Sequence, residues 1–465
     1  MRSLRLQAVL TIALIGVAPG VAAADKLLVT NATIVTLDER HPDPFTGFLL
    51  VGDDGRIAAV GEGSPPAGTA ADEIYDAAGE IVMPGFLSGH SHLWQSAFRG
   101  IAADQWVTSW VQSIHRTYGP YFAKGDLYAF TLHGALDYLR HGITTTYNYS
   151  QNVGVAQELY EEQFQAELDA GARFIFGYAL SAQPSAREAR LVFESFLERA
   201  KRASQTPLLL KISIATGGGT RDVDYLDMVA DLMRTRDLDV QMHFLEAPSS
   251  RETNQESFDP IERAGLLGPN LVFAHFIHTN DTIVERSASA GTGMIWNALS
   301  NGRLASGLAD IPSYMGAGLR VGMGLDGQAS ADISDPFENM RMGLYGLRMK
   351  YEDAKVMQPT DVLKLHTIGT AEVLGVASQV GTLTPGKFAD FLVVDPADLD
   401  TGPVSDVYAT LVFACKISNL ERVYVGGSLA VERGRLVDHD SHAIAREVHD
   451  RVAAVSARMG ATSAR

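Results

Sequence analysis

Hydrophobic positions in this chain fall into short strand-like runs at both ends and a long alternation of apolar runs with helical patterns between them. Lys26–Val35 and Phe48–Val60 alternate or run apolar as strands do, with Gly52-Asp53-Asp54-Gly55 supplying turn residues. Phe388–Val394 and Leu420–Val431, the latter interrupted by Gly426-Gly427, repeat that pattern near the other end. The middle predicts strands at Ile81–Met83, Thr144–Tyr147, Phe174–Tyr178, Leu208–Ile214, Asp239–His243, Leu271–His275, Gly293–Asn297 and Arg320–Gly324. Helical patterns such as Asp126–Leu139, Ala156–Ala170 and Asp222–Arg236 lie between them. Repeated βα units argue for a closed parallel (β/α)8 barrel of the TIM type. The strand-rich ends predict one small β-sandwich domain assembled from both termini. The expected division is a signal peptide over 1–24, a composite β domain from 25–80 and 380–440, a barrel over 81–379, and a C-terminal helix over 441–465.

Composition changes this picture little. The chain has 465 residues, 46% of them hydrophobic, which is enough for a barrel and a smaller unit. Its formal net charge of −17 argues against nucleic acid or an anionic membrane surface as a partner. A small molecule is the expected partner, with the protein itself a homo-oligomer. Arg2 and Arg5, the apolar run Val9–Val17 and the small residues Ala22 and Ala24 read as an export signal cleaved before Asp25. The run is shorter than the ~20 residues of a spanning helix. A periplasmic or secreted protein, off the membrane after cleavage, is therefore expected. The single Cys415 cannot form an internal disulfide.

Barrel chemistry collects at the C-terminal ends of strands, and polar candidates fall there. The run from Ile81 continues through Pro84-Gly85 to His90-Ser91-His92. Two histidines one residue apart on extended backbone point the same way, which suits two imidazoles on one metal. His243 ends its strand with Glu246 just beyond. His275 ends the next, followed by His278, and Asp326-Gly327 follows the last strand. Chance seldom aligns so many ligand types at successive strand ends.

These residues resemble the amidohydrolase superfamily, in the branch of cytosine, adenosylhomocysteine and triazine deaminases or chlorohydrolases. The matching strings are PGFLSGHSHLWQSAFRG, HFLE, AHFIH, IWNALSNGRLASG, GLDGQAS and GTLTPGKFADFLVVD. The resemblance implies His90, His92, His243 and Asp326 as ligands of one divalent metal. Zinc is the default, with iron or another divalent ion open. It implies Glu246, His275 and Asp326 as catalytic groups. A bound metal lowers the pKa of water toward ~7. Asp326 is placed to take the water proton. Glu246 can protonate a leaving nitrogen if burial raises its pKa. His275 can stabilise an oxyanion, orient the hydroxide or approach the metal.

Other candidates divide between site and scaffold. Lys211 lies on the strand where related two-metal barrels carry a bridging lysine, but several residues before the strand's end, which disfavours a bridge. His133, His141, His366 and His278 read as structural, and His115 is open. Arg99 suits a loop brace as well as a substrate contact. Where nucleoside deaminases of this branch carry an A-P-H-A-P-like string, this chain has Ala215-Thr216-Gly217-Gly218-Gly219, which argues against a nucleoside. Aromatics after His92, with Trp296 at another strand end, predict flat walls around a neutral aromatic or heteroaromatic substrate. Trp94, Gln95, Asn148, Gln183 and Asn297 are the candidate substrate contacts. Hydrolytic deamination is the leading function, with amide, urea or carbamate hydrolysis the alternative. A non-catalytic binding barrel conflicts with the complete ligand set.

Overall fold

A computed structural model describes residues 26–151, 159–180, 185–203, 206–399 and 401–463. The proposed signal at 1–24 lies outside them. The first five strands are β1 (Leu27–Ile34), β2 (Phe45–Val51), β3 (Ile57–Glu62), β4 (Glu73–Asp76) and β5 (Ile81–Pro84). The terminal strands β15 (Phe391–Val394), β16 (Leu420–Val425), β17 (Ser428–Glu432) and β18 (Arg435–Leu436) join them. Together they form one nine-stranded sheet in the order β18-β17-β16-β15-β5-β1-β2-β3, with β4 beside β1. The run Phe48–Val60 is a hairpin rather than one strand, because Gly52–Gly55 turns the chain. The sheet has its own apolar core, which includes Val29, Ile34, Leu49, Val82, Phe391 and Val393.

The second sheet is entirely parallel. It runs β6 (Phe86–His92), β7 (Ile143–Tyr149), β8 (Arg173–Ala179), β9 (Leu209–Gly217), β10 (Asp239–Phe244), β11 (Leu271–His275), β12 (Gly293–Trp296) and β13 (Arg320–Met323). Just past β13, the short strand β14 (Asp326–Gly327) pairs Asp326 with Ser91 and Gly327 with His92. That contact brings the last strand back to the first, and the architecture is a TIM-like α/β fold. The histidine pair is therefore carried by β6, not by the run at Ile81. Ile81–Pro84 instead pairs with β1 and β15 in the terminal sheet, and Gly85 passes the chain from one sheet to the other.

Local sequence sets the helix ends. Asp222 accepts from the Tyr225 amide to start the helix Val223–Arg236, and Asn280 caps Asp281–Ala290 in the same way. Gly171, at φ 76°, ends Tyr160–Ala170 directly before β8. Residues 156–158 of the expected helix Ala156–Ala170 lie outside the described set. A buried ion pair ties the two sheets together. Arg173 at the foot of β8 donates to Asp390 through Nε (2.6 Å) and Nη2 (3.0 Å), and its guanidinium covers the Phe388 ring at 3.5 Å. The helix Ser441–Ser463 packs back on Asp126–Arg140, where Arg451 and Arg458 pair with the buried Asp126. Among the described residues no helix is long and apolar enough to cross a membrane.

Candidate metal centre

His90 and His92 both lie on β6 and are both buried. Gln241 on β10 gives its amide N–H to the Gly89 carbonyl (2.8 Å), which turns its oxygen toward His90 Nδ1 at 2.6 Å. His90 therefore carries its proton on Nδ1 and presents the Nε2 lone pair inward. His92 Nδ1–H donates to the Tyr149 carbonyl at 2.9 Å, with the same result. His92 Nε2 lies 3.2 Å from His243 Nε2 and 3.3 Å from Asp326 Oδ1, and His90 Nε2 lies 3.5 Å from that oxygen. His90 Nε2 is buried with no hydrogen-bond partner. Lone pairs aimed at one another and at a carboxylate repel unless a cation lies between them. In a tetrahedral site with metal–ligand distances near 2.0–2.1 Å, ligand atoms sit roughly 3.3–3.5 Å apart. The donor set therefore fits one divalent metal. Burial pushes the His90 and His243 pKa values well below the usual imidazole range, which keeps both rings in the neutral form that ligates.

The other groups surround these four. His275 Nε2 lies 3.7 Å from Glu246 Oε2. His275 Nδ1 faces the amide nitrogens of Asn301 (2.9 Å) and Asn297 (3.4 Å). Amide nitrogen donates, so Nδ1 accepts and the proton of this ring sits on Nε2, the opposite tautomer to His90 and His92. Burial, opposed in part by Asp326, brings the His275 pKa down to about 4. Burial and the Asp326 charge push Glu246 well above the carboxylate range. Burial works against ionisation of Asp326, but His275, His90, His92 and the Ser300 hydroxyl outweigh it and hold the carboxyl well below the usual range. Ser300 donates to Asp326 Oδ2, and Tyr138 donates to the Asp326 carbonyl at 2.6 Å. Leu245, His275 and Asp326 all have positive φ (57°, 75° and 62°). Non-glycine residues held there carry backbone strain, a feature that clusters at functional sites. The kink at Leu245 follows β10 directly and leads into Glu246.

Several sequence-derived candidates lie elsewhere. Asn148 is not a substrate contact. Its amide donates to Glu167 Oε2 (2.9 Å) on the helix Tyr160–Ala170, because strand alternation turns Asn148 outward and its neighbours Tyr147 and Tyr149 inward. Trp94 is fully buried, donates to the Gln151 carbonyl at 2.9 Å and packs on Phe98, His115 and Phe122, so it is core rather than an open wall. Trp296 is likewise buried, against Gly343 of the helix Pro336–Tyr351, and Trp110 donates to the Ala329 carbonyl. Trp106 is the one exposed indole. Asn297 backs His275. Gln95 is buried beside Gly327, next to Asp326, and donates to His115 Nε2 at 3.2 Å. Burial brings the His115 pKa down to about 3. Gln183 lies outside the described residues.

The scaffold candidates are resolved as well. His278 Nε2–H donates to the Ser306 carbonyl (2.7 Å), and Arg251 donates to its Nδ1, so it braces a loop. Arg99 pairs with Asp137. His366 bridges the Leu87 carbonyl and Asn339. Lys211 Nζ contacts Asp239 (2.7 Å) and the Leu374 carbonyl (3.2 Å) at the far end of the barrel. It lies roughly 20 Å of strand below Gly217 at ~3.3 Å per residue, too far to bridge metals. Sequence reasoning missed Gln241, Tyr149, Ser300 and Asn301. Gln241 and Tyr149 were legible as the inward partners, two residues away, of His243 and Tyr147. Asn301 falls one helical turn after Asn297.

A TIM-like barrel whose strand ends aim three imidazoles and a carboxylate at one point has the form of a metal-dependent hydrolase. The comparisons make this specific. Residues 81–430 match the model of the amidohydrolase family. The chain belongs to that family and is a metal-dependent hydrolase acting on carbon–nitrogen bonds other than peptide bonds. It is 27% identical over 426 residues to a 5-methylthioadenosine/S-adenosylhomocysteine deaminase of Bacillus cereus (strain 03BB102), covering 90% of this chain and 97% of that protein. Among solved structures it resembles a zinc-bound adenosine deaminase of Xanthomonas campestris (TM-score 0.83, 22% identity, 93% of this chain and 99% of that one). It also resembles the zinc complex of atrazine chlorohydrolase from Arthrobacter aurescens TC1 (TM-score 0.82, 20% identity, 92% and 100%).

Proposed function

We propose that this enzyme hydrolyses a carbon–nitrogen bond of a small heteroaromatic compound and releases ammonia, with zinc as its single metal. The observation that carries this reading is the convergence of His90, His92 and His243 with the Asp326 carboxylate at one point, with Glu246 Oε2 3.7 Å from His275 Nε2 beside them. His90, His92, His243 and Asp326 would hold the metal, which supplies acidification of a water. Asp326 takes the proton of that water, with Ser300 steadying its other oxygen. Glu246 gives its proton to the leaving nitrogen, which its raised pKa allows at neutral pH. His275 offers its Nε2–H to the oxyanion that develops at the attacked carbon, and Asn301 and Asn297 hold that ring in its donor tautomer.

The deaminase names of the relatives support deamination, and the zinc in both solved neighbours supports that metal. The test is a substrate panel on metal-analysed protein, with amino-heterocycles, aryl amides, ureas and carbamates assayed for ammonia against amine or acid release. Ammonia from amino-heterocycles is the expected result. Amine release from amides, ureas or carbamates alone would move the function to the alternative.

The same proposal includes export to the periplasm or medium with cleavage before Asp25, a homo-oligomeric state, and a terminal sheet folded over its core as a sandwich domain. An N-terminus at Asp25 by mass spectrometry of native protein and a multimer by light scattering are the expected readings.

A further inference from the structure

His275 and Asp326 are both held by one short helix, Ala298–Arg303, just past the end of β12. Its Ser300 hydroxyl donates to Asp326 Oδ2, and its Asn301 amide donates to His275 Nδ1 at 2.9 Å. Two of the proposed catalytic groups thus take their orientation from a helix of six residues. Such a segment does not hold itself. It has about half the length at which an isolated helix becomes even marginal in water. Gly302 lies inside it, and Asn297 at its start makes no side-chain cap.

Contacts from outside fix both of its ends. At the start, the Leu299 amide donates to Asn339 Oδ1 at 3.0 Å, and the Asn339 side-chain amide is committed to the Gly324 carbonyl and His366. At the other end, one guanidinium joins two loops to the helix. Arg303 Nε donates to Asp332 Oδ2 at 2.7 Å, and its terminal nitrogens donate to the Ala102 and Ile101 carbonyls, each at 3.0 Å. Asp332 Oδ1 accepts the Gly100 amide at 2.8 Å. The Arg303 side chain is 15% exposed and that of Asp332 28%, so this is not a freely solvated surface pair. The clamp ties the helix to the loop beyond His90 and His92 and to the loop beyond Asp326. Ala102, Ala305 and Asp332 sit around it at positive φ (57°, 51° and 62°). Backbone in that region persists only where its surroundings hold it.

We propose that Arg303 is a positioning residue for His275 and Asp326, acting through Asn301 and Ser300. This rests on the hydrolase reading above and adds to it a residue that touches no reacting atom. With the clamp made, Asn301 stays against His275 Nδ1 and the ring keeps its proton on Nε2. With the clamp broken, the end of the helix is free to unwind, Ser300 and Asn301 leave their partners, and the His275 proton is free to move to Nδ1. Asp332 completes the clamp, since its two oxygens are used by Arg303 and Gly100. The planar fork of Arg303 reaches a carboxylate and two carbonyls at once, which the single ammonium of a lysine does not reproduce.

The test uses zinc-loaded protein with isotopically labelled histidine. Long-range proton–nitrogen spectra report the tautomer of each ring, and His275 is assigned by its absence in His275→Gln. Wild type should show His275 protonated on Nε2. Arg303→Ala should keep about one zinc per chain and show a mixture of His275 tautomers. Its kcat should fall on the order of tenfold, with KM within about threefold of wild type. Arg303→Lys should fall between the two. In an Asn301→Ala background, Arg303→Ala should cost less than it does alone, because both act on one ring, whereas a merely structural loss would multiply. Asp332→Asn keeps an acceptor for Gly100 but loses the charge. It should move the ring the same way, and it carries the test if Arg303→Ala fails to fold. An unchanged His275 ring in the clamp variants, or a kcat loss that multiplies in full with that of Asn301→Ala, would overturn the proposal. A tautomer shift in protein that cleaves no compound of the panel would sink the hydrolytic reading and leave this one. Cleavage with an unchanged ring would do the reverse.

Discussion

His92 and His243 stand 151 positions apart in the chain, yet their Nε2 atoms are 3.2 Å apart. Neither nitrogen gains from that approach as two neutral lone pairs, and His92 Nδ1 is already committed to the Tyr149 carbonyl. The contact makes sense as two ligands of one ion. Closure of the barrel, which sets β10 across from β6, enforces it.

His92→Ala and His243→Ala should each abolish metal retention and activity, because three remaining donors leave the site open. Elemental analysis of wild type should give about one ion per chain, the stoichiometry of a single tetrahedral site. About two ions per chain would contradict the single-metal reading, since Lys211 cannot bridge them.

Glu246→Gln should keep the metal and lower turnover by about 10²–10⁴-fold, the range of a positioned acid–base group. The amide preserves size and hydrogen bonding but has no proton to give a leaving nitrogen. Steady-state kinetics beside metal analysis checks this, and turnover close to wild type would remove Glu246 from the mechanism.

Asn301→Ala takes the nearer amide donor from His275 Nδ1 and frees the ring to change tautomer. The expected result is a fall in kcat on the order of tenfold or more with metal content unchanged. A variant that instead gains metal affinity would show His275 acting as a ligand.

Asp390→Ala leaves the buried Arg173 guanidinium without its carboxylate. Breaking such a pair from one side typically costs about 3–5 kcal/mol. Because Asp390 lies between the two sheets, denaturant unfolding should report a large stability loss without a matching loss of metal ligands.

Glu167 supplies a pH signature. It is fully buried, and burial, only partly offset by the Asn148 amide, lifts its pKa well above the carboxylate range. A carboxyl whose folded pKa exceeds its unfolded one contributes stability below the unfolded value and loses it as pH rises through the folded value. Melting temperature should therefore fall as pH rises from the ordinary glutamate range toward the raised value of the folded state. Glu167→Gln should flatten that slope, and an unchanged slope would place the titration elsewhere.

Hydrophobic period and strand-end polarity were enough to locate seven of the eight barrel strands to within two or three residues of their ends, and to place His90, His92, His243, Glu246, His275 and Asp326 at the same mouth. These are local properties: extended backbone repeats every two residues, and a barrel gathers its strand ends on one face. The eighth strand was misassigned because Ile81–Pro84 and Phe86–His92 are both buried runs, separated by one glycine. Only pairing with β1 and β15 assigns the first of them to the terminal sheet. Packing also decided that Asn148 faces a helix, that Trp94 is core, and that His275 carries its proton on the opposite nitrogen from His90 and His92. Each of those outcomes depends on a partner far along the chain, such as Glu167, Phe122, Asn301 or Gln241. No single segment encodes which partner arrives, because that is fixed when the barrel closes and every buried polar atom must find its match.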